Sequence, residues 1–307
     1  MKFWIYKHQH KAAVYIDALL CARYELSESK PDFVLFDHDI GRGDDTFRPQ
    51  IIRRVREGAK IFMYPHAARP MIQWDGMYPC FTDHVMGSFV IAPGHTEVMK
   101  RYGYPLPTWE VGWSYCRFRS FKPVSKVKMI LFCPIHPHAN GWLSDTDKQI
   151  NIDTFNALLK LKGVHILVRY LRDLHKQGLW AQRGVQYYQG KPDGSTRQID
   201  YVDLVVGHQT PAYLAIARGK PTIMCGDRVV PHSGNTPESF RSVSSYDKYR
   251  EYLEYPWDVA DGDLEHQIEM VRRDDIRIRD WKARFLGKPF DPDYFTKTIE
   301  EKMAECN

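Results

Sequence analysis

The chain has 307 residues, 43% of them apolar and 26% charged, with a formal net charge of +5. That balance belongs to a globular protein rather than a disordered one, and the length suits two domains at about 100–200 residues each. No run of about 18 apolar residues occurs, and Lys7, His8 and His10 break the N-terminal apolar stretch, so neither a membrane span nor a signal peptide is expected.

These features lead us to expect a soluble, cytoplasmic protein. Cys21, Cys80, Cys116, Cys133, Cys225 and Cys306 form no C-x-x-C pair and read as reduced packing residues. The mild positive charge suits an anionic ligand such as a nucleotide, and it permits DNA.

Lys2–Tyr6 is a short apolar run and reads as a buried strand, followed by a helix over Ala12–Arg23. Phe33–Phe36 is a second strand ending in Asp37-His38-Asp39. Pro49–Lys60 is a basic amphipathic helix. Ile61–Tyr64 is a third strand, running into Pro65-His66-Ala67-Ala68-Arg69-Pro70. Ser88–Ala92, a helix through Arg101 and Trp109–Trp113 close this half. The basic segment Arg117–Lys128 reads as a linker. The pattern then restarts with a strand at Met129–Cys133, a loop over Pro134–Asp145 and a helix carrying Ile152, Phe155 and Leu158. Strands follow at Val164–Arg169 and Val202–Val206. Thr210-Pro211 then opens a helix that ends at Gly219, Lys220–Cys225 is a last strand, and two or three helices finish the chain.

Strands alternating with helices imply parallel sheets. We expect an α/β protein of two Rossmann-like, doubly wound domains facing a cleft. The expected boundaries are 1–124, 125–289 and a final helix, 290–307, returning to the first domain. In such sheets ligands bind beyond the carboxyl ends of strands, so the loops there are the candidates.

The strongest of these is Gly207-His208-Gln209-Thr210, where a strand runs into a helix N-terminus. Unpaired backbone N–H groups and the helix dipole suit phosphate there, and glycine lets the backbone come close. A plain capped helix accounts for the same residues. His136 and His138 lie in the loop after Met129–Cys133, where histidine and backbone N–H groups can offset the charge of an anion. A metal reading of Cys133, His136 and His138 lacks a fourth ligand, and no metal is expected. Arg169, at a strand end, is a candidate for a bidentate phosphate contact.

In the first half, His66 follows a strand, and histidine titrates near neutrality as a general base must. Asp37 and Asp39 end the neighbouring strand and are alternatives for the same role. Lys7, His8, His10, Arg69, Arg53 and Arg54 form the candidate acceptor surface, with Arg53 and Arg54 expected on a helix face. The chain has no G-x-x-x-x-G-K-[ST] loop, no G-x-G-x-x-G fingerprint and no G-x-S-x-G elbow, which takes most of the weight from the kinase, dehydrogenase and serine-hydrolase readings.

Asp203–Gly226 combines an aspartate, an apolar strand, a polar loop, and a helix ending Ala217-x-Gly219-Lys220-Pro221 before another strand. This pattern resembles the C-terminal half of GT-B fold glycosyltransferases and is similar to CDP-glycerol glycerophosphotransferases. The helix lacks the acid that such families often carry. The resemblance implies a metal-independent glycosyltransferase with a nucleotide diphosphate sugar as co-substrate and no bound cofactor. It places His208, Gln209 and Thr210 on the donor diphosphate and a histidine such as His66 near the acceptor. The expected acceptor is macromolecular, either DNA carrying a hydroxymethylated base or an anionic glycan. Alditol-phosphate transfer and a non-catalytic nucleotide- or glycan-binding module are the alternatives.

Overall fold

The computed structural model describes residues 1–5, 11–37, 47–65, 84–101, 104–114, 116–135, 145–170, 186–189, 194–208, 210–225 and 255–306. Two compact α/β units emerge, one of residues 1–116 with 283–307, the other of residues 117–282.

In the first unit six parallel strands form one sheet. They are β1 (Lys2–Ile5), β2 (Glu25–Leu26), β3 (Phe33–Asp37), β4 (Lys60–Tyr64), β5 (Val85–Val90) and β6 (Thr108–Glu110), in the order β2-β1-β3-β4-β5-β6. Alternate residues feed the two faces, as a pleat of period two requires. Trp4, Val34, Phe36, Ile61, Met63 and Val90 pack on one face with Ile51 and Val55 of α2 (Phe47–Arg56) and Met99 of α3 (Pro93–Arg101). Phe3, Ile5, Phe33, Leu35, Phe62, Tyr64 and Phe89 pack on the other, with Ile16 and Leu20 of α1 (Lys11–Cys21).

That second face carries an aromatic ladder. Phe3–Phe33, Phe33–Phe62 and Phe62–Phe89 have ring centroids 6.0, 5.9 and 6.0 Å apart. Phe295 of the last helix closes it at 4.4 Å from Phe89.

The return of the chain into this unit is backbone-tight. Gly112 has φ +81, and a Cβ there would stand 2.6 Å from the Lys288 carbonyl oxygen. Trp113 N–H donates to the Lys288 carbonyl at 3.1 Å and Asp291 N–H to the Val111 carbonyl at 2.8 Å. Asp291 then caps the final helix Pro292–Ala304, accepting from Tyr294 N–H at 3.0 Å with proline in the first turn.

The second unit holds five parallel strands, β7 (Met129–Cys133), β8 (His165–Tyr170), β9 (Gln186–Gln189), β10 (Leu204–Gly207) and β11 (Thr222–Met224), in the order β11-β10-β7-β8-β9. The helices include α4 (Asp145–Leu159), α5 (Gly194–Tyr201), α6 (Thr210–Ala217), α7 (Leu264–Val271) and α8 (Ile276–Phe285), the last running on into the first unit. The final helix is α9. Every residue of α6 from Pro211 to Ala217 is buried, as an all-apolar helix requires.

The linker expected over 117–128 is a strap on the second unit. Arg119 N–H donates to the Ala217 carbonyl, Lys122 N–H to Gly219 and Val124 N–H to Arg272, at 2.9, 3.0 and 3.0 Å. The buried Arg272 guanidinium answers with bonds to the carbonyls of Val124 (3.0 Å) and Ser125 (2.8 Å). Gly219 has φ +74, and a side chain there would collide with the Ser120 carbonyl. Residues 117–124, assigned from the sequence to the first domain, are thus held by the second unit.

Candidate functional site

Strand order locates the candidate edge in each unit. In the second sheet the chain starts at β7, adds β8 and β9 on one side, then returns to add β10 and β11 on the other. Chain direction therefore switches between β7 and β10, and ligands of open parallel sheets bind beyond the carboxyl ends at such a point. β7 ends at Cys133 and β10 at Gly207, paired in register.

The exits of these strands are built from specific bonds. His208 N–H donates to the Cys133 carbonyl at 3.1 Å, and Cys225 N–H donates to the Gly207 carbonyl at 2.8 Å. His208 is 5% exposed and its Nδ1 lies 3.0 Å from the Cys225 carbonyl. A carbonyl only accepts, so Nδ1 carries the hydrogen of this bond.

Thr210 opens α6 next to His208. The first-turn N–H groups of a helix lack intrahelical partners, and Pro211 has none to offer, so Thr210 and Ala212 supply them. A Cβ on Gly207 would lie 3.6 Å from Ala212 N and 3.3 Å from Cys133 Cβ, so glycine keeps the space over that amide clear.

Burial pushes the Cys133 thiol up to about 12, against the opposing charge of Arg169. Cys133 is thus a neutral packing thiol at ordinary pH. The register places Arg169 near the end of β7, one residue beyond Val168, which pairs with Phe132. Arg169 is half-buried on β8, beside β7. Its cation, the α6 N-terminus and Gly207 make the β7–β10 edge suited to an anion.

In the first sheet the switch lies between β1 and β3. β3 ends at Asp37, paired with Tyr64 at the end of β4, while Ile5 at the end of β1 pairs with Leu35. Three of the candidate segments follow these strand ends in the chain. Asp37 stands at the carboxyl edge as expected of a strand-end candidate. Lys7, His8, His10, Asp39, His66 and Arg69 lie outside the described residues, as do His136, His138 and Gln209 in the other half.

The structure corrects one acceptor candidate. Arg54 is 5% exposed and donates to Glu28 Oε2 (3.0 Å) and to the carbonyls of Glu28 (3.1 Å) and Gln50 (3.3 Å). Its guanidinium stacks over Trp4 at 4.0 Å. Arg54 is therefore a structural cation and not part of a solvated face. Arg53 is exposed and pairs with Glu57 at 3.2 Å.

Sequence reasoning missed Asn151. It is fully buried on α4, where Oδ1 accepts from Ile135 N–H at 2.8 Å and Nδ2 donates to the Ile135 carbonyl at 2.9 Å. The signal was its position on the stripe Asn151, Thr154, Phe155, Leu158, all buried. Lys220 was legible but sits at the opposite edge. Its Nζ donates to the carbonyls of Asp200 (3.0 Å) and Val202 (2.7 Å) at the amino ends of the strands.

No protein-family model matches the chain, and no curated protein matches it by sequence. Solved structures do. The wall teichoic acid polymerase TagF, as its H548A variant, is 12% identical with a TM-score of 0.53, over 99% of this chain and 89% of that one. A Listeria monocytogenes protein described as a UDP-N-acetylglucosamine 2-epimerase is 12% identical, TM-score 0.53, over 95% and 78%. CalG4, the calicheamicin glycosyltransferase, is 12% identical, TM-score 0.50, over 95% and 79%. The fold is GT-B. At this identity the likeness is one of architecture, and it agrees with two α/β units, each built on a parallel sheet. In this GT-B chain the β7–β10 edge is the best-defined candidate site. Among the described residues no helix is long and apolar enough to cross a membrane.

Proposed function

We propose that this GT-B chain transfers a group from a nucleoside-diphosphate-activated donor to a hydroxyl of a larger acceptor. One observation carries the reading: the switch point of the second sheet brings the ends of β7 and β10 to the N-terminus of α6, with Arg169 beside them. In this reading the diphosphate lies against the first-turn amides, with Gly207, His208, Gln209, Thr210, Arg169, His136 and His138 as its partners. Protein groups rather than a divalent cation then offset the charge that develops as the diphosphate leaves. His66, or else Asp39 or Asp37, takes the acceptor proton.

The transferred group is a sugar in the first reading. The acceptor oxygen bonds to the anomeric carbon, the carbon–oxygen bond to the diphosphate breaks, and a nucleoside diphosphate departs. The extent of the likeness to the teichoic acid polymerase favours an alditol phosphate as the second reading. There the acceptor oxygen bonds to phosphorus, the bridging bond breaks, and a nucleoside monophosphate departs. The leaving nucleotide therefore separates the two. Candidate acceptors are an anionic glycan or polyol-phosphate chain, and DNA carrying a hydroxymethylated base; the loss of Arg54 from the candidate surface weakens the DNA case.

The test is thermal unfolding with UDP, CDP, GDP, ADP and dTDP, each with and without chelator. A ligand at about 100 times its dissociation constant adds roughly 2.7 kcal/mol, and each kcal/mol raises the midpoint by about 2–4 °C in domains of this size class. One diphosphate should give a shift that survives chelator and is lost in His208→Ala. The absence of a shift with all five would refute the proposal.

A further inference from the structure

We infer that Asn151 is a positioning residue for the anion site, holding Ile135 just beyond the end of β7 at the switch point. The inference rests on the diphosphate reading of that edge, but on a residue and a bond pair that the reading itself does not use.

The side chain stands where an apolar one would serve packing better. Asn151, Thr154, Phe155 and Leu158 form the buried stripe of α4, and Phe155 stacks on Phe132 of β7 with centroids 6.1 Å apart. Burying a primary amide in such a stripe is unfavourable unless its donor and acceptor are both used. Both are used here, and on a single residue: Ile135 N–H to Oδ1 and Nδ2 to the Ile135 carbonyl, at 2.8 and 2.9 Å.

Those two backbone groups are the ones a longer β7 would offer to a neighbouring strand. The ladder with β10 stops two residues earlier, at the bond from His208 N–H to the Cys133 carbonyl. On the β8 side, Pro134 has no N–H to extend the other ladder. The amide of Asn151 thus takes the place of the next strand rung and ties Ile135, itself 3% exposed, to α4. The opposite wall of the edge is fixed in the same manner by the His208 ring on the Cys225 carbonyl. Two side-chain-to-backbone ties therefore hold the exits of β7, β10 and β11 before any ligand arrives, the preorganisation that a tight anion site needs.

A purely structural role predicts that Asn151 variants lose stability and nothing else. A positioning role predicts weaker ligand binding in protein that is still folded. The experiment measures dissociation constants by calorimetry, well below each midpoint, for inorganic pyrophosphate and the best nucleoside diphosphate. The proteins are wild type, Asn151→Ala, Asn151→Ser and Leu158→Ala. Leu158 is fully buried on the same stripe, two turns along α4, and its side chain has no polar group to tie a strand exit, so Leu158→Ala is the control for loss of stability alone. Asn151→Ser keeps one hydroxyl but cannot bridge both backbone groups, and it replaces the alanine variant if that one does not fold.

The Asn151 variants should bind about 10–100-fold more weakly, the scale of a small misplacement in a preorganised site, while Leu158→Ala binds as wild type does. Equal binding by wild type and the Asn151 variants would overturn the inference and leave the diphosphate reading standing. So would a loss in Leu158→Ala as large as that in Asn151→Ala. Failure of wild type to bind pyrophosphate or any nucleoside diphosphate is the separate result that removes the site, and the inference with it.

Discussion

His95 gives a sharp test of the fold's electrostatics. It lies in the first turn of α3 with no exposure, beneath the segment that returns from α8. A Cβ on its neighbour Gly94 would stand 2.6 Å from the Arg284 carbonyl and 2.9 Å from the Phe285 ring. Neither ring nitrogen makes a hydrogen bond of normal geometry, and the Phe285 backbone compensates only weakly for burial. The charged form is therefore disfavoured, first by desolvation, and the helix N-terminus adds to the cost of a cation. Its pKa falls from 6.5 to about 4.

The sign follows from proton counting. Between about pH 6.5 and 4 the unfolded chain binds a proton at this residue and the folded chain does not. Stability is therefore complete above that window and is lost as pH falls through it. A shift from 6.5 to about 4 corresponds to about 3 kcal/mol in total, of which about 2 kcal/mol is gone by pH 5. Urea unfolding of wild type and His95→Leu at pH 7.5 and pH 5 isolates the residue, because every other group titrates in both proteins. Wild type should lose about 2 kcal/mol more than the variant between the two conditions. At pH 7.5 the variant should match wild type within about 1 kcal/mol, since an unpaired buried imidazole contributes little beyond its volume. An identical pH dependence in both would refute the reasoning.

Two further predictions concern the second unit. Gly219→Ala should cost more than about 2 kcal/mol, because φ +74 and the Ser120 carbonyl both exclude a side chain, and denaturant unfolding should show it; a neutral result would mean the strap is not held as described. Cys133 should resist iodoacetamide at pH 8.5 in folded protein while the exposed Cys21 and Cys306 react, as mass spectrometry of tryptic peptides would show. Labelling of Cys133 at the rate of Cys306 would contradict its burial.

The strands were legible because strands covered on both faces must be almost continuously apolar, as Phe33–Phe36 and Met129–Cys133 are. Elements without that signature were missed. β2 is two exposed residues, β9 reads QYYQ, and α5 reads GSTRQIDY, weak in helix formers. The strap over 119–125 escaped notice because its ties are backbone bonds to Ala217, Gly219 and Arg272, which composition does not report. Arg54 was misread for a different reason. It lies three residues after Ile51 and beside Val55, so helical spacing places it on the buried stripe, but the run of arginines suggested a solvated face. Asn151 follows the same logic: a polar residue in an apolar stripe signals a tie to something buried, which hydropathy alone reads as a flaw.

The segment that carries the family resemblance divides by sheet edge, and the division bears on what a resemblance can mean. At the amino edge the Asp203 carboxylate accepts from Lys128 and Met129 N–H at 2.8 and 2.9 Å. Lys220 there holds two carbonyls, and Gly219 makes room for the strap. Each of these groups is spent on the scaffold. At the carboxyl edge Gly207, His208 and Thr210 surround a helix start whose amides the helix itself does not use. The most recognisable residues, Gly219-Lys220-Pro221, are therefore evidence for the fold, since they close the turn into β11 whatever the sheet binds. In the proposed reading, activity would depend instead on Gly207, His208 and Thr210 and on the ends of β7 and β8, which lie at the other edge. Neighbours at 12% identity can thus share the architecture while one is a polymerase, one is described as an epimerase and one is a glycosyltransferase.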